Sequence, residues 1–280
     1  MKAVVNKIIP FSSVDGPGNR TAIFLQGCNI DCKYCHNPET RNHCVNCGIC
    51  IEHCPKDAIA WDVDGQIRFE AEKCCECDTC IKICPSGSSP RTSKLSPNEV
   101  YERVKKQIPF IRGITVSGGE CMLQPEFLKE LFGYAKKDGL TTLIDSNGTI
   151  PFKEHGDLLE VTDGVMLDIK AFDPMQHKNI TGSTNETVLQ NAKFLAEQKK
   201  LYEVRAVIVP ELYDTTESVR AMGEFLRPYY KIQPFRIKLI AYRPMGVREE
   251  YSHYKVPDGA YLRELEAMLR GMGYEEIIII

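Results

Sequence analysis

Long apolar runs are missing from this sequence. No stretch approaches the ~20 residues needed to cross a bilayer, although 43% of its 280 residues are hydrophobic. The N-terminus, M-K-A-V-V-N-K-I-I-P, is interrupted at Asn6 and Lys7 and offers no small-residue cleavage site, so no signal peptide is expected. An excess of one charge is missing as well: 35 Lys and Arg face 38 Asp and Glu, a net charge of −3, which leaves no basic footprint for nucleic acid. Cysteine is absent from residues 122 to 280, and no segment is of low complexity. These absences lead us to expect a cytoplasmic protein with a sizeable core and neither a membrane nor a nucleic-acid partner.

Cysteine is abundant in the other half. In a reducing compartment, 13 cysteines are poorly explained by disulfides and better explained by metal or redox chemistry. Cys28, Cys32 and Cys35 stand in the string G-C-N-I-D-C-K-Y-C. A C-x3-C-x2-C set supplies one thiolate too few to close a four-iron cluster, and a site with a missing protein ligand keeps an open position for chemistry. Taken alone, three such cysteines could also be half of a zinc knuckle completed elsewhere, or buried thiols.

A second cysteine pattern occurs twice. Cys44, Cys47, Cys50 and Cys54 follow C-x2-C-x2-C-x3-C-P, ending at Pro55, and Cys74, Cys77, Cys80 and Cys84 repeat it, ending at Pro85. This is the bacterial ferredoxin run, in which the fourth cysteine of each run ligates the other run's cluster. The expected sets are Cys44, Cys47, Cys50 and Cys84 for one [4Fe-4S] cluster, and Cys74, Cys77, Cys80 and Cys54 for another. A zinc ribbon needs only C-x2-C pairs and leaves both prolines and the third cysteine of each run unexplained. Cys75 and Cys121 are left over, and both are expected to be packing thiols.

From about Ser96 helical and short apolar segments alternate, the pattern of an α/β fold with a parallel sheet. Ser96 and Pro97 read as the N-cap and first residue of a helix. Further helices are expected from Pro125 and near 186–199, 216–226 and 259–269. Strands are expected at 21–26, 113–116, 140–145, 165–169, 204–209 and 235–241, with 274–280 as one more buried strand. The strand C-termini of such a sheet share one rim, where ligands bind. The cysteine loop, Gly118-Gly119-Glu120, Asp145 and Asp168 should meet there.

The segment Asp15-Gly-Pro-Gly-Asn-Arg20, placed ahead of C-x3-C-x2-Y-C, completes a resemblance. The chain resembles the radical S-adenosylmethionine (SAM) superfamily and, within it, the glycyl-radical-enzyme activases typified by the activating enzyme of pyruvate formate-lyase. The resemblance implies an α/β fold, a partial (β/α)6 TIM-type barrel from residues 1–40 and 92–280, with an inserted ferredoxin-like 2[4Fe-4S] domain at 41–91. It implies three [4Fe-4S] clusters in all, the catalytic one on Cys28, Cys32 and Cys35, together with SAM.

By the same resemblance, Gly118, Gly119 and Glu120 would hold the SAM amino group and Tyr34 would pack near adenine. Ser146, Asp168 and Lys170 would position the rest of the cofactor, and Arg205 would reach its carboxylate or ribose. Arg243, standing where simpler activases carry a His, would take over that residue's SAM contact. Asp145, Ser146, Met166 and Asp168 would ligate a monovalent cation, and Asp15 would lie where a partner's glycine loop enters.

The implied function is reductive cleavage of SAM to a 5′-deoxyadenosyl radical that abstracts hydrogen from a glycine of a partner glycyl radical enzyme. A flavodoxin or ferredoxin would supply the electron. Two other readings are open: a radical SAM enzyme acting on a small molecule, and a non-catalytic iron–sulfur carrier or zinc-binding module. Metal analysis separates the last, since three four-iron clusters carry about twelve irons.

Overall fold

A computed structural model describes all 280 residues. The chain opens with β1 (Ala3–Ser12) and β2 (Arg20–Leu25), an antiparallel pair. Residues 41–91 then form a small lobe from α1 (Ile49–Glu52), β3 (Ile59–Trp61), β4 (Ile67–Phe69) and α2 (Thr79–Lys82). In it, β3 and β4 pair antiparallel around a turn whose Asp62 carboxylate accepts from the amides of Asp64 and Gln66. The chain returns through β5 (Ser93–Leu95), antiparallel to β1.

Alternation follows: α3 (Pro97–Lys105), β6 (Gly113–Gly118), α4 (Pro125–Lys137), β7 (Thr141–Ser146), α5 (Gly156–Glu160) and β8 (Gly164–Asp168). Beyond these come α6 (Pro174–Thr181), α7 (Glu186–Glu197), β9 (Leu201–Ile208), α8 (Thr215–Tyr230), β10 (Arg236–Ala241), α9 (Gly259–Gly271) and β11 (Ile277–Ile279). The expected N-cap of α3 is present as a capping box: Ser96 Oγ accepts from the Glu99 amide while the Glu99 carboxylate accepts from the Ser96 amide.

One nine-stranded sheet runs β11-β10-β9-β8-β7-β6-β2-β1-β5. Every neighbouring pair from β2 to β11 is parallel. Strand alternation sorts the two faces. Ile114, Val116, Ile144, Val165, Leu167, Val204, Ile237 and Leu239 enter the apolar core shared with the helices. Between them stand Thr115, Ser117, Asp145, Asp168, Glu203, Arg205 and Lys238, which make the other face polar.

All expected strands are present, and outside residues 41–91 four elements were not anticipated: β1, β5, α5 and α6. The C-terminal strand departs from expectation in its setting. Residues 277–279 pair only with β10, at the sheet edge, and are half-buried rather than fully enclosed.

Candidate active site

The strand C-termini open on one cleft of about 230 Å3. Cys28, Cys32 and Cys35 line it with Tyr34, Ser117, Gly118, Gly119, Asp145, Ser146, Asp168, Lys170 and Arg205. The cysteine loop leaves β2 and is held from two sides. The amides of Gly27 and Cys28 donate to the carbonyls of Thr40 and Arg41, and those of Asp31 and Lys33 donate to Thr181 and Ile180 at the end of α6.

Burial sets the electrostatics of these thiols. It pushes Cys28 up to about 11 and Cys32 up to about 12, and it raises Cys35. Three desolvated thiols converging on one cleft are costly as thiolates by themselves, and a bound cation inverts that cost. The donor set therefore fits a thiolate-ligated iron–sulfur group with one position left open. No fourth cysteine lines the cleft.

Lys170 and Arg205 supply positive charge. Lys170 Nζ lies 2.6 Å from Asp168 and over the Tyr34 ring at 5.9 Å. Burial opposes its charge, but Asp168 and the Cys32 thiol outweigh burial and raise its pKa. Arg205 donates to Asp145 at 2.9 Å and to fully buried Glu203 at 2.6 Å, and Lys238 approaches Glu203 to 3.2 Å. Burial also holds the Asp145 carboxyl up, against the pull of Arg205.

Several residues differ from their sequence expectation. Glu120 does not face the cleft. Its buried carboxylate accepts from Ser146 Oγ (2.9 Å) and the amides of Asn147 (2.7 Å) and Met122 (2.9 Å), bracing the loop after β7. Burial raises its pKa to about 7. Gly118 and Gly119 do line the cleft, but their lack of a side chain answers to the protein's own backbone. A Cβ on Gly118, at φ +123°, would lie 2.2 Å from Leu25, and one on Gly119 would lie 2.1 Å from the Gly27 carbonyl.

The expected cation ligands are brought close but are already occupied. Arg205 Nη2 sits 2.9 Å from the Met166 sulfur while Nη1 holds Asp145, so the guanidinium fills the place assigned to an ion. Asp168 is taken by Lys170 and Ser146 by Glu120. Arg243 is exposed and lies outside the cleft lining. The residue from that loop that does line it is Arg248, 2.7 Å from Asp31 and 3.3 Å from the Cys32 carbonyl. Asp15 is half-buried outside the cleft, its carbonyl accepting from Thr115 Oγ1 at 2.6 Å.

Asn147 was also missed. Its amide lies 3.7 Å from Cys28 Sγ. Cys121 is a buried packing thiol as expected, whereas Cys75 is exposed.

In the lobe, two smaller cavities of about 10 and 20 Å3 collect the remaining cysteines. One is lined by Cys44, Cys47, Cys50 and Cys84, the other by Cys54, Cys74, Cys75 and Cys77, with Cys80 between them and lining both.

A parallel α/β sheet whose strand ends carry an open three-thiol cleft defines a class. Residues 22–222 match the model of the Radical SAM superfamily, and the chain belongs to that superfamily. It is 31% identical over 264 residues to the choline trimethylamine-lyase activating enzyme of Oleidesulfovibrio alaskensis, covering 88% of this chain and 85% of that one. It is 30% identical over 288 residues to the pyruvate formate-lyase-activating enzyme of Streptococcus mutans, covering 98% and 93%. Within the superfamily it therefore stands among the glycyl-radical-enzyme activating enzymes, and it is an enzyme. The crystal structure of QueE from Escherichia coli shares the fold, with a TM-score of 0.58 at 14% identity over 100% of this chain and 94% of that one. No helix is long and apolar enough to cross a membrane.

Proposed function

We propose that this chain activates a glycyl radical enzyme by reductive cleavage of SAM at the strand-end cleft. The observation that carries the reading is the cleft lining: three thiols, Cys32 buried and Cys28 and Cys35 half-buried, no fourth, and cationic side chains beside them. With a [4Fe-4S] cluster and SAM bound, the pair supplies methionine and a 5′-deoxyadenosyl radical, which takes a hydrogen atom from a partner glycine.

The chain's own residues hold and orient these groups. Cys28, Cys32 and Cys35 would ligate the cluster. Lys170, Arg205 and Arg248 line the cleft and would bind the cofactor's carboxylate. Tyr34, Val207 and Ile240 give an apolar wall suited to adenine, and the Gly118-Gly119 backbone edges the amino-group side. Arg205 and Lys170 perform the charge balance that a monovalent cation would otherwise provide. We read the polar sheet face as the inside of a partial (β/α)6 barrel and Asp15 as part of the partner loop's approach. We read residues 41–91 as a ferredoxin-like insert with two further clusters, fed by a flavodoxin- or ferredoxin-type donor.

Anaerobically reconstituted protein given SAM and dithionite should release methionine and 5′-deoxyadenosine; no release would overturn the reading. A glycyl radical signal on the added partner polypeptide separates an activase from a small-molecule enzyme, which would give products without it.

A further inference from the structure

The two lobe cysteine sets are not equivalent in their connection to the cleft. Gln26, the residue between β2 and the cysteine loop, is 2% exposed. Its Nε2 donates to the carbonyls of Glu39 and Asn42 (both 2.6 Å) and reaches Ser88 Oγ at 3.4 Å. Ser88 is fully buried, and its amide donates to Cys84 Sγ at 3.4 Å. A second strut runs beside this one. The Cys28 amide donates to the Arg41 carbonyl at 2.9 Å, and Cys44 follows Arg41 by three residues. Asn42 Nδ2 ties the struts together at the Ser86 carbonyl, 2.7 Å away. Covalent and hydrogen-bonded links therefore join Cys28 to both Cys44 and Cys84 without crossing solvent.

The other set is tied in by one longer route. The Arg91 side chain hydrogen-bonds Cys74, the Arg91 amide donates to Ser89 Oγ at 3.1 Å, and the Ser89 amide donates to the Glu39 carbonyl at 3.1 Å, so this path runs the length of a flexible side chain, while Cys77 is exposed, flanked by exposed Glu76 and Asp78. What joins the two sets is the lobe's own small core, in which Cys50 and Cys80 pack with Ile59.

We propose that the Cys44, Cys47, Cys50 and Cys84 set is the inner relay, handing electrons to the three-cysteine site over the Gln26, Ser88 and Arg41 bridge, while the Cys54, Cys74, Cys77 and Cys80 set is the outer one that meets the donor. A low-potential one-electron protein donor is oxidised by one electron at the Cys77 edge, and the same electron passes inward, so the relay ends unchanged. Electronic coupling falls with the length of the bonded route, and the two short struts to Cys44 and Cys84, against one long route through the Arg91 side chain to Cys74, select this order over its reverse. The inference rests on the proposed function, and on clusters forming in both sets.

The test uses anaerobically reconstituted full-length protein and reads magnetic coupling rather than turnover. In the fully reduced protein, the signal of the SAM-bound three-cysteine site should relax fast because of its nearest paramagnetic neighbour. Cys47→Ala should lose that enhancement, and Cys77→Ala should retain it. The reverse pattern, or equal losses, overturns the order. Ser88→Ala should slow reduction by a protein donor while leaving iron content intact; an unchanged rate removes the bridge from the route. Iron content of about four per chain in the unaltered protein would end this inference while leaving SAM cleavage, assayed with dithionite, to judge the function separately.

Discussion

The sheet domain and the 41–91 lobe hold their shape by different means. The sheet rests on a contiguous core of 45 buried residues, whereas the lobe's buried apolar cluster is Cys50, Ile59 and Cys80. A 51-residue segment with so small a core lies in the range where metals or disulfides usually supply the stability, and all its cysteines are free thiols. Thiol chemistry follows the same division. All three cleft thiols are raised by burial. On the lobe's rim, a hydrogen bond from Thr79 holds Cys77 down; at Cys84, burial is outweighed by bonds from Ser86 and the Ser88 amide. Only the lobe's inner pair, Cys50 and Cys80, is raised by burial. The sheet prepares a site and then takes a cofactor; the lobe would need the metal to be a lobe.

The largest expected effect falls on the sheet side. Cys32→Ala should abolish production of methionine and 5′-deoxyadenosine, with unfolding by circular dichroism little changed because the surrounding core is intact. An active variant would break the assignment of the cleft. Next in size is removal of iron by a chelator under reducing conditions. Limited proteolysis should then cut within residues 41–91 while the fragment containing β6 to β10 persists. Equal resistance in both parts would erase the contrast.

Two further tests probe the buried charges of the sheet, which the lobe lacks: no carboxylate in 41–91 is fully buried. Arg205→Leu leaves Asp145 and Glu203 without their main partner. Breaking a buried pair in this way costs about 3–5 kcal/mol, read as a lower midpoint of urea unfolding. Glu120 gives a pH signature. Its folded pKa of about 7 stands above the unfolded value of about 4.3, so between these pH values the folded state binds the extra proton and stability falls as pH rises. The loss, complete above about pH 7, is on the order of 3 kcal/mol. Glu120→Gln should flatten that slope, and an unchanged slope would assign it elsewhere.

The frame of the sheet and the grouping of the cysteines could be read from the sequence because their information is local. Apolar spacing marks strands, Ser96-Pro97 marks a helix start, and cysteine spacing marks sets. What escaped reading depends on distant partners. Nothing local shows that Gly119-Glu120 turns its carboxylate inward to Ser146 and Asn147. Arg248 displaces Arg243 from the cleft because the chain after β10 turns at Gly246, at φ +85°, where a Cβ would lie 2.9 Å from the His36 carbonyl. The helix α6 buries only His177, Ile180 and Thr181, too few to leave an amphipathic stripe, yet its end carries the cysteine loop. The contact of Arg205 with Asp145 and Met166 could not be read locally because the guanidinium comes from β9, about 60 residues after Asp145 in a fold where parallel neighbours are distant in sequence.

The smallest expected effect is the sharpest check on the lobe. Cys75 adjoins Cys74 and lines the same cavity as Cys54 and Cys77, so a slip of one residue would let it ligate in Cys74's place. Spacing argues against the slip, since only Cys74 stands three residues before Cys77 as the ferredoxin run requires. Local hydrogen bonding argues the same way: the Glu76 amide donates to Cys74 Sγ at 3.4 Å, which fixes the position of that sulfur. Cys75→Ala should therefore leave the iron content at about twelve per chain, while Cys74→Ala should lower it unless Cys75 steps in. If Cys75→Ala loses about four irons, the register of the second run is wrong, and with it the division of the lobe's cysteines into two crossed sets.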